Sequence, residues 1–307
     1  MYMHKMAPLP TKNPTPNSNV PVPQPISIPS NTIGEVVIQN TAETTTVGTI
    51  PLTDATFIIP VRIDSEDRRI NFNIVYNYLR TTFKTNIIVY ECDKSSVLKD
   101  VVREDVTYIF EQNDSECFHR TRYLNYMLNL VRTKVTVNYD LDVMFQPETY
   151  TACHDKIVEG YDLIYPYQYG NYLHQISYSG RDKLSNGISL NELTDGDYVE
   201  KSCGSKYGHC QFFNTDSYKA YGWENENFIS WGPEDIERFH RFNKLSKVKH
   251  LTGSYVYHIE HLRSNNSSSS NPYFNHNTNL WKSLDKMTNE QLIEYYKTVD
   301  YIRKYNL

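Results

Sequence analysis

Residues 135–145 read VTVNYDLDVMF. The β-branched start of this stretch predicts a strand, and two carboxylates, Asp140 and Asp142, follow it between apolar residues. Side chains two residues apart in an extended chain point to the same side, so their negative charges repel, and burial near a core increases the repulsion. A divalent cation would remove it. Taken alone, the D-x-D pair favours the alternative, a strand that ends at a solvated turn.

Strands and helices alternate around this stretch. Short apolar runs typical of strands buried on both faces occupy residues 55–62, 85–93 and 106–112. Helical periodicity occupies residues 66–83 and 117–133. This order predicts an α/β fold with a mixed, mainly parallel central sheet flanked by helices. Ligands bind beyond the carboxyl ends of strands in such sheets, where Arg62, Asp140 and Asp142 would stand, and this position favours the metal interpretation.

The chain divides into an unusual N-terminal segment and a folded remainder. Residues 1–52 are rich in Pro, Asn, Thr and Ser and predict a disordered tether or linker, in which residues 34–41 are a candidate short strand. Residues 53–307 form the predicted domain. Within it, residues 170–206 are weakly patterned and predict a long loop or insertion. Further predicted elements are a helix at 233–245, a strand at 254–262, a flexible stretch at 264–271 and a helix at 288–305 that begins with a capping box from Thr288 to Gln291.

Composition excludes several classes of protein. The formal net charge of -5 gives no attraction to nucleic acid or to an anionic membrane. No apolar run has the length of a membrane span, and the N-terminus lacks the apolar core of a signal peptide, so we expect a soluble protein that is cytoplasmic or otherwise intracellular. The five cysteines include no C-x-x-C pair, which argues against a zinc cage or a disulfide framework. A bond between Cys203 and Cys210 stays open.

Four stretches carry polar and aromatic residues in a recognisable order. They read FIIPVR, FHRTRYLN, NYDLDVMF and GWENENFISWGPEDIERFHR. Together they resemble the nucleotide-sugar glycosyltransferases of the GT-A fold, and most closely the β-1,4-galactosyltransferase family with its relatives that build chondroitin-type chains. The matching motifs are Pro-x-Arg at Pro60, Phe-x-Arg-x-x-x-Leu-Asn at Phe118, D-x-D at Asp140, and Trp-Gly-x-Glu-Asp at Trp231. The resemblance covers roughly residues 55–275.

The resemblance has departures. Gly208-His209 stands where the family commonly has Gly-Gly, and Ile236 stands where a further Asp is common. The segment between the D-x-D and Gly208 is longer than in the galactosyltransferase pattern. The resemblance therefore implies the reaction type better than the sugar. It also implies a nucleotide-binding half at residues 53–150 and an acceptor-binding half at residues 151–307.

The resemblance implies a metal site made by Asp142 with the histidine pair of the HIEH stretch, His258 and His261. A spacing of three residues lets both imidazoles reach one ion at a turn or bend, though not along a regular strand. Imidazole with carboxylate suits Mn²⁺, and Mg²⁺ less well. The alternative is a histidine pair at a strand end with a role in the core or at the surface.

A second group of residues is expected to bind a UDP-sugar donor. Guanidinium suits phosphate, strand-end carboxylates accept hydrogen bonds from uracil or ribose, and an indole offers a flat face to a sugar ring. These residues are Pro60, Arg62, Glu91, Asp93, Arg120, Asp140 and Trp231. The alternatives are a surface ion pair for Arg62, a solvated strand end for Glu91 and Asp93, helix packing for Arg120 and a core position for Trp231.

The catalytic candidates are Asp235 and Glu234. The resemblance implies that Asp235 is the general base that deprotonates the acceptor hydroxyl. Both carboxylates also start a predicted helix, where acidic residues are favoured as caps. The sequence as a whole predicts a metal-dependent inverting glycosyltransferase that moves a sugar from a UDP-sugar to a hydroxyl of a glycan or glycoconjugate by single displacement.

Three alternatives to this function are considered. One is a retaining or polymerising enzyme of the same fold, and another is a nucleotide-sugar-binding module without turnover. A two-metal phosphoryl-transfer enzyme would need more carboxylates near the D-x-D and a basic surface, and the sequence has neither.

Overall fold

A computed structural model describes residues 36–38, 46–168, 172–201, 207–262 and 267–305. The strands are β1 (Val36–Ile38), β2 (Ile50–Val61), β3 (Phe83–Asp93), β4 (Thr107–Gln112), β5 (Val135–Tyr139), β6 (Val143–Met144), β7 (Leu163–Tyr165), β8 (Leu173–Ile176), β9 (Tyr198–Lys201), β10 (Cys210–Asn214), β11 (Val248–His250) and β12 (Val256–Ile259). The helices are α1 (Glu66–Thr82), α2 (Arg120–Leu130), α3 (Pro147–Val158), α4 (Tyr178–Ser185), α5 (Thr215–Ala220), α6 (Glu234–Leu245), α7 (Phe274–Asp285), α8 (Asn289–Thr298) and α9 (Asp300–Arg303). Cys203 lies outside the described residues.

The main sheet contains eight of these strands in the order β1-β4-β3-β2-β5-β10-β7-β11. Neighbouring strands from β4 through β3 and β2 to β5 are parallel, as are β7 and β11. β1 pairs antiparallel with β4, and β10 pairs antiparallel with both β5 and β7. Helices α1, α2 and α3 pack against this sheet. The α/β prediction of a mixed, mainly parallel sheet flanked by helices is confirmed.

A smaller sheet stands beside the end of β5. Its strands follow the order β6-β12-β8-β9. β12 pairs antiparallel with β6 and parallel with β8, and β9 completes the sheet on the far side of β8. Because β6 starts directly after Asp142, this second sheet brings residues from late in the chain to the D-x-D stretch.

The core follows the apolar runs of the sequence. Phe57, Ile58 and Ile59 in β2 are buried, and all five residues of β5 are buried as well. Strands covered on both faces need such continuous runs, in contrast to the alternation of half-exposed strands. The position of β5 between β2 and β10 therefore fixes where the carboxylates that follow it emerge.

Several element bounds differ from the prediction. The helix predicted at 117–133 begins only at Arg120, because His119 has φ -86° and ψ 69° and its buried ring contacts a backbone carbonyl oxygen, that of Glu226, at 2.9 Å. The helix predicted at 288–305 is two helices, separated at Val299, whose ψ of 132° is extended. Its capping box is confirmed: Gln291 N donates to Thr288 Oγ1 at 3.3 Å, and Thr288 N donates to Gln291 Oε1 at 2.9 Å.

The segment predicted as a loop at 170–206 is folded over the part that the structure describes. Between residues 172 and 201 it contributes β8, α4, a 3₁₀ turn at Leu190–Glu192 and β9. The prediction of a long loop is therefore wrong for this part. Each element is short, and its partners lie far away in the chain, so the local sequence carries little periodic signal.

Two stretches before residue 53 join the main sheet. The candidate strand is confirmed as β1, and β2 begins at Ile50, where it pairs with Phe83. Thr46 is buried: its N–H donates to Thr85 O at 2.9 Å, and its Oγ1 accepts from Thr85 N at 3.1 Å. The boundary at residue 52 stays a prediction. No helix in the described ranges combines the length and apolar character that a membrane crossing requires.

Gly48 permits the close approach of residues 46–50 to β3, and its replacement tests this packing. A Cβ atom at Gly48 would lie 2.2 Å from the backbone nitrogen of Phe83. We expect Gly48→Val to lower the free energy of unfolding by about 1–3 kcal/mol, the usual effect of overpacking. Val47→Ala is the control, because the Val47 side chain is exposed. Thermal unfolding of both variants measures the effect, and equal melting temperatures would show that residues 46–50 do not pack on β3.

Candidate functional site

Asp140 and Asp142 of the D-x-D lie in the turn that connects β5 to β6. Asp140 N donates to His209 O at 3.0 Å, which ties the turn to the residue before β10. Asp142 is buried, whereas about a third of the Asp140 side chain is exposed, 32%. The two carboxylates meet different partners, and the turn separates them.

Asp142 lies among imidazoles. Within the described parts of the chain, one group of three potential metal ligands is present: Asp142, His258 and His261, with ligand atoms within 4.8 Å of one another. His261 Nε2 lies 3.1 Å from Asp142 Oδ2, and His258 Nε2 lies 3.9 Å from Asp142 Oδ1. His258 belongs to β12, and His261 follows the end of that strand. The bend required by the three-residue spacing is therefore present.

The hydrogen bonds of both imidazoles leave Nε2 as the ligand atom. His261 Nδ1 lies 2.9 Å from Leu262 O, and His258 Nδ1 lies 3.1 Å from Gln175 Oε1. Each oxygen only accepts, so each Nδ1 carries the proton. In the neutral form of both rings, the two Nε2 atoms then face the Asp142 carboxylate with lone pairs. Such a set of acceptors fits a divalent cation.

Charge interactions at this cluster are strong. Burial alone would raise the pKa of Asp142, but the hydrogen bond with His261 and the charges of His258 and His261 lower it below its ordinary value. The same hydrogen bond raises the pKa of His261. This hydrogen bond requires a proton on His261 Nε2, so it belongs to the protonated imidazole, and a bound cation would take the place of that proton.

Arg120 connects the D-x-D to the Trp-Gly-x-Glu-Asp stretch. Its Nη2 donates to Asp140 Oδ1 at 2.7 Å, and its Nη1 lies 3.9 Å from Asp235 Oδ1. Arg238 donates from Nη1 to the same oxygen of Asp235 at 2.8 Å. Arg238 is fully buried and makes two further bonds, from Nε at 2.6 Å and Nη2 at 3.0 Å, to Glu224. The guanidinium of Arg120 thus lies between the two motifs.

Glu234 differs from its neighbour Asp235. It is the first residue of α6 and is buried, and its Oε2 has no hydrogen-bond partner among the described residues. Burial and the adjacent Asp235 charge raise the pKa of Glu234 to about 8. A buried carboxyl group with an unsatisfied oxygen and a raised pKa is typical of functional sites.

The loop before α6 is held by an asparagine from α7. Asn277 Nδ2 donates to Ile229 O at 2.7 Å and to Trp231 O at 3.0 Å, and its Oδ1 accepts from Ile229 N at 3.1 Å. A Cβ atom at Gly232 would lie 2.7 Å from Asn277 Cβ, so only glycine fits there. The Trp231 indole is 39% exposed and stacks on Phe274, with ring centroids 5.6 Å apart.

The residues at the ends of β2 and β3 are engaged with the protein itself. Arg62 donates from Nε to Cys92 O at 3.0 Å and from Nη1 to Ser115 O at 2.9 Å. Glu91 is buried and accepts from Val97 N at 2.9 Å, and burial raises its pKa.

Asp93 and Pro60 also contact the protein backbone. Asp93 Oδ2 accepts from Ile63 N at 3.0 Å, and Pro60 pairs with Tyr90 between the strands. Nucleotide contacts by Pro60, Arg62, Glu91 and Asp93 stay predictions.

Three features of the site were not predicted from the sequence. Arg238 and Glu224 form a buried pair behind Asp235, and Gln175 lies against the His258 ring. His209 has a φ of 69°, and its ring centroid lies 5.9 Å from that of His258. Only His209 had a signal in the sequence, since it stands where the glycosyltransferases that the sequence resembles commonly have a second glycine.

Comparisons with known proteins leave the family open. No protein-family model and no curated protein matches the chain. A crystal structure of GalNAc-T7 with UDP, GalNAc and Mn²⁺ is similar with a TM-score of 0.49 at 13% identity, over 74% of this chain and 46% of that one. TarS 1–349 of S. aureus is similar with a TM-score of 0.48 at 14% identity, over 78% of this chain and 68% of that one.

A CMP:2-keto-3-deoxy-manno-octonic acid synthetase complexed with CTP has a TM-score of 0.36 at 12% identity, over 65% of this chain and 90% of that one. At these identities the similarities do not assign the chain to a family.

The raised pKa of Glu234 predicts a pH-dependent cost to stability. A glutamate in the unfolded chain ionises near pH about 4.3, whereas the folded value is about 8. Between these values the unfolded state releases a proton that the folded state keeps, so stability falls as pH rises. We expect Glu234→Gln to melt at an increasingly higher temperature than the wild type from pH about 5 to about 8, with about 1.4 kcal/mol for each unit of pKa difference.

Glu148→Gln is the matched control, because Glu148 also lies in the first turn of a helix, α3, but is exposed. Melting curves across this pH range measure the difference. A Glu234→Gln advantage that is independent of pH would contradict the raised pKa.

Proposed function

We propose that the chain is a metal-dependent glycosyltransferase of the GT-A type. It transfers a sugar from a UDP-sugar to a hydroxyl of a glycan or glycoconjugate, with inversion at the anomeric carbon. The observation that supports this most is the arrangement at the end of β5. There, Asp142 with two histidines forms a group fit for a cation, while Arg120 bridges from Asp140 to Asp235 in the second motif.

The proposed metal ligands are Asp142, His258 and His261, and Mn²⁺ suits this mixture of imidazole and carboxylate better than Mg²⁺. The ligand atoms fit because they converge as acceptors, and the hydrogen bonds at both Nδ1 atoms keep the Nε2 lone pairs for the ion. A bound divalent cation would offset the charge that the diphosphate gains as the glycosidic bond breaks.

Asp235 is the proposed general base. Its contacts within the described residues are made by Oδ1, which accepts from Arg238 at 2.8 Å and lies 3.9 Å from Arg120 Nη1. Oδ2 can therefore accept the proton of an acceptor hydroxyl while Oδ1 holds the carboxylate in place. General-base catalysis requires this combination of a fixed position and an available oxygen.

Glu234 is proposed to act differently. Because its pKa is raised to about 8, the Glu234 carboxyl group is protonated in most copies of the protein at neutral pH. A neutral carboxyl both donates and accepts hydrogen bonds, which suits it to hold a sugar hydroxyl. Two adjacent carboxyl groups in different environments thus take different roles. The exposed Trp231 indole is proposed to face the sugar ring.

The function is tested first by a screen of UDP-sugars. We expect one or more donors to raise the melting temperature and to be hydrolysed slowly in the presence of Mn²⁺, because bound ligand stabilises the folded state. Proton NMR of a transfer product would then give its anomeric configuration. Retention of configuration would contradict the inverting mechanism, and binding without hydrolysis or transfer would indicate a binding module.

Replacement of the proposed ligands should remove metal-dependent binding. We expect Asp142→Asn and His261→Ala to abolish Mn²⁺-dependent UDP binding in calorimetry while circular dichroism shows a retained fold. His154→Ala is the control, because His154 Nε2 pairs with a carboxylate elsewhere, Asp54 Oδ1 at 2.7 Å. Tight metal-dependent UDP binding in both ligand variants would show that the assignment is wrong.

Replacement of the proposed base should affect chemistry and leave donor binding intact. Asp235→Asn keeps an oxygen for Arg238 but removes the base, so we expect kcat to fall by about 10²–10⁴-fold with an unchanged donor Kd. Glu234→Gln should mostly weaken acceptor or sugar binding. Single-turnover transfer and donor titration of both variants separate these effects. Near-normal turnover of Asp235→Asn would transfer the role of base to Glu234.

A further inference from the structure

The residues from Leu173 to Lys201 form a folded unit beside the histidines. β8 and β9 extend the small sheet next to β12, with His258 opposite Gln175 in the parallel register. Helix α4 follows β8 directly and contacts α1. This part of the chain therefore lies against both the strand that carries His258 and the helix that starts near the end of β2.

Gln175 fixes the orientation of the His258 ring. Its Nε2 donates to His258 O at 3.1 Å, and its Oε1 faces His258 Nδ1 at 3.1 Å. The bond to the carbonyl determines which amide atom faces the ring, because a carbonyl oxygen cannot donate. The ring therefore carries its proton on Nδ1 and directs the Nε2 lone pair to the side of Asp142, whose Oδ1 is 3.9 Å away.

Asp67 supports the His261 ring indirectly, through the backbone of Leu262. Its Oδ2 accepts from Leu262 N at 3.2 Å, and the carbonyl of Leu262 accepts from His261 Nδ1 at 2.9 Å. Two residues of α4 hold the same carboxylate: Arg181 Nη1 donates to Oδ1 at 2.6 Å, and the Tyr178 hydroxyl donates to Oδ2 at 3.1 Å. Arg181 is buried, and its guanidinium also lies over the Tyr178 ring, 4.6 Å from the centroid.

Asn71 supports the backbone between the two histidines. It lies one helical turn after Asp67 in α1, is fully buried, and donates from Nδ2 toward Ile259 O at 3.4 Å and Glu260 O at 3.3 Å. Glu260 N in turn donates to Ile176 O in β8 at 3.1 Å. Both ends of the His258–His261 stretch and its middle are thus held by α1 and by the segment that begins at Leu173.

We infer that the Leu173–Lys201 segment orients the two imidazoles of the metal site with Nε2 toward the ion. Gln175 of this segment is the positioning residue for His258. Asp67 of α1, which α4 holds in place, is the positioning residue for His261. This inference rests on the proposed metal-dependent function. Partners of this kind fix the tautomer and ring orientation of a ligand, and their loss typically costs about 10–100-fold in metal affinity. The segment then has a role at the donor side of the site, in addition to any role in acceptor binding.

The first experiment compares two substitutions of Gln175. Gln175→Leu removes the acceptor for His258 Nδ1, whereas Gln175→Glu keeps it. We expect Mn²⁺ affinity, measured by electron paramagnetic resonance of free Mn²⁺, to fall by about 10–100-fold in Gln175→Leu and to be retained in Gln175→Glu. Gln146→Leu is the matched control, because Gln146 Nε2 donates to the Tyr257 hydroxyl on the same sheet at 3.3 Å and not to an imidazole.

A second measurement needs no metal. ¹⁵N-detected NMR of the imidazoles in metal-free protein, at a pH where they are neutral, reports which nitrogen carries the proton. We expect the Nδ1–H form of His258 in the wild type, in Gln175→Glu and in Gln146→Leu. Gln175→Leu should shift His258 toward the Nε2–H form and leave His261 unchanged. A change in stability alone would not move this signal.

A third comparison tests Asp67. An amide offers one acceptor oxygen, so Asp67→Asn cannot serve both Leu262 and Arg181 as the carboxylate does. We expect Asp67→Asn to weaken Mn²⁺ binding, and Asp64→Asn to leave it unchanged, because Asp64 instead pairs with Arg68 at 3.1 Å. If Gln175→Leu kept wild-type Mn²⁺ affinity and the Nδ1–H form of His258, the inference would be overturned while the proposed function would stand. A wild-type protein that binds no Mn²⁺ would overturn it together with the metal-dependent function.

Discussion

Asp140 and Asp142 follow a strand that is buried along its whole length, and each of their negative charges is met by a separate set of partners. Asp140 pairs with Arg120, and Asp142 lies against His258 and His261. A charge near a core is tolerated only when it is paired or coordinated. The two carboxylates of the D-x-D stretch therefore require that helix α2 and strand β12 both reach the end of β5, and the solvated-turn alternative does not describe them.

The register of three short strands places His258 beside Asp142. β6 begins one residue after Asp142, and His258 pairs with Val143 in the antiparallel register of β12 and β6. A shift of one residue in this pairing would turn the His258 ring to the opposite face of the small sheet. The same strand pairs with β8, where Gln175 is opposite His258. The site thus depends on a three-strand register in which no strand is longer than four residues.

The parts of the fold that were predictable from the sequence have self-contained signals. The apolar runs of β2, β3 and β4 identify strands without reference to other segments, and the D-x-D, the HIEH pair and the Trp-Gly-x-Glu-Asp stretch identify the residues that the structure gathers. β8 was missed because it has four residues and takes its form from β12, some eighty positions away. The break at Val299 was missed because no glycine or proline marks it. The direction of the Arg120 side chain was open, since it depends on where α6 arrives.

Charge balance explains why Glu234 and Asp235, neighbours in one helical turn, differ. A row of alternating charges runs from Asp140 through Arg120, Asp235 and Arg238 to Glu224. Its two arginines are already shared among three carboxylates, so they compensate one further buried negative charge only in part. Glu234 is that further group, and its Oε2 meets no hydrogen-bond partner in the described ranges. Its pKa rises to about 8 for this reason, through burial and the adjacent Asp235 charge. The arginines that hold Asp235 in place are thus engaged by other carboxylates, and the Glu234 carboxyl group favours its protonated form.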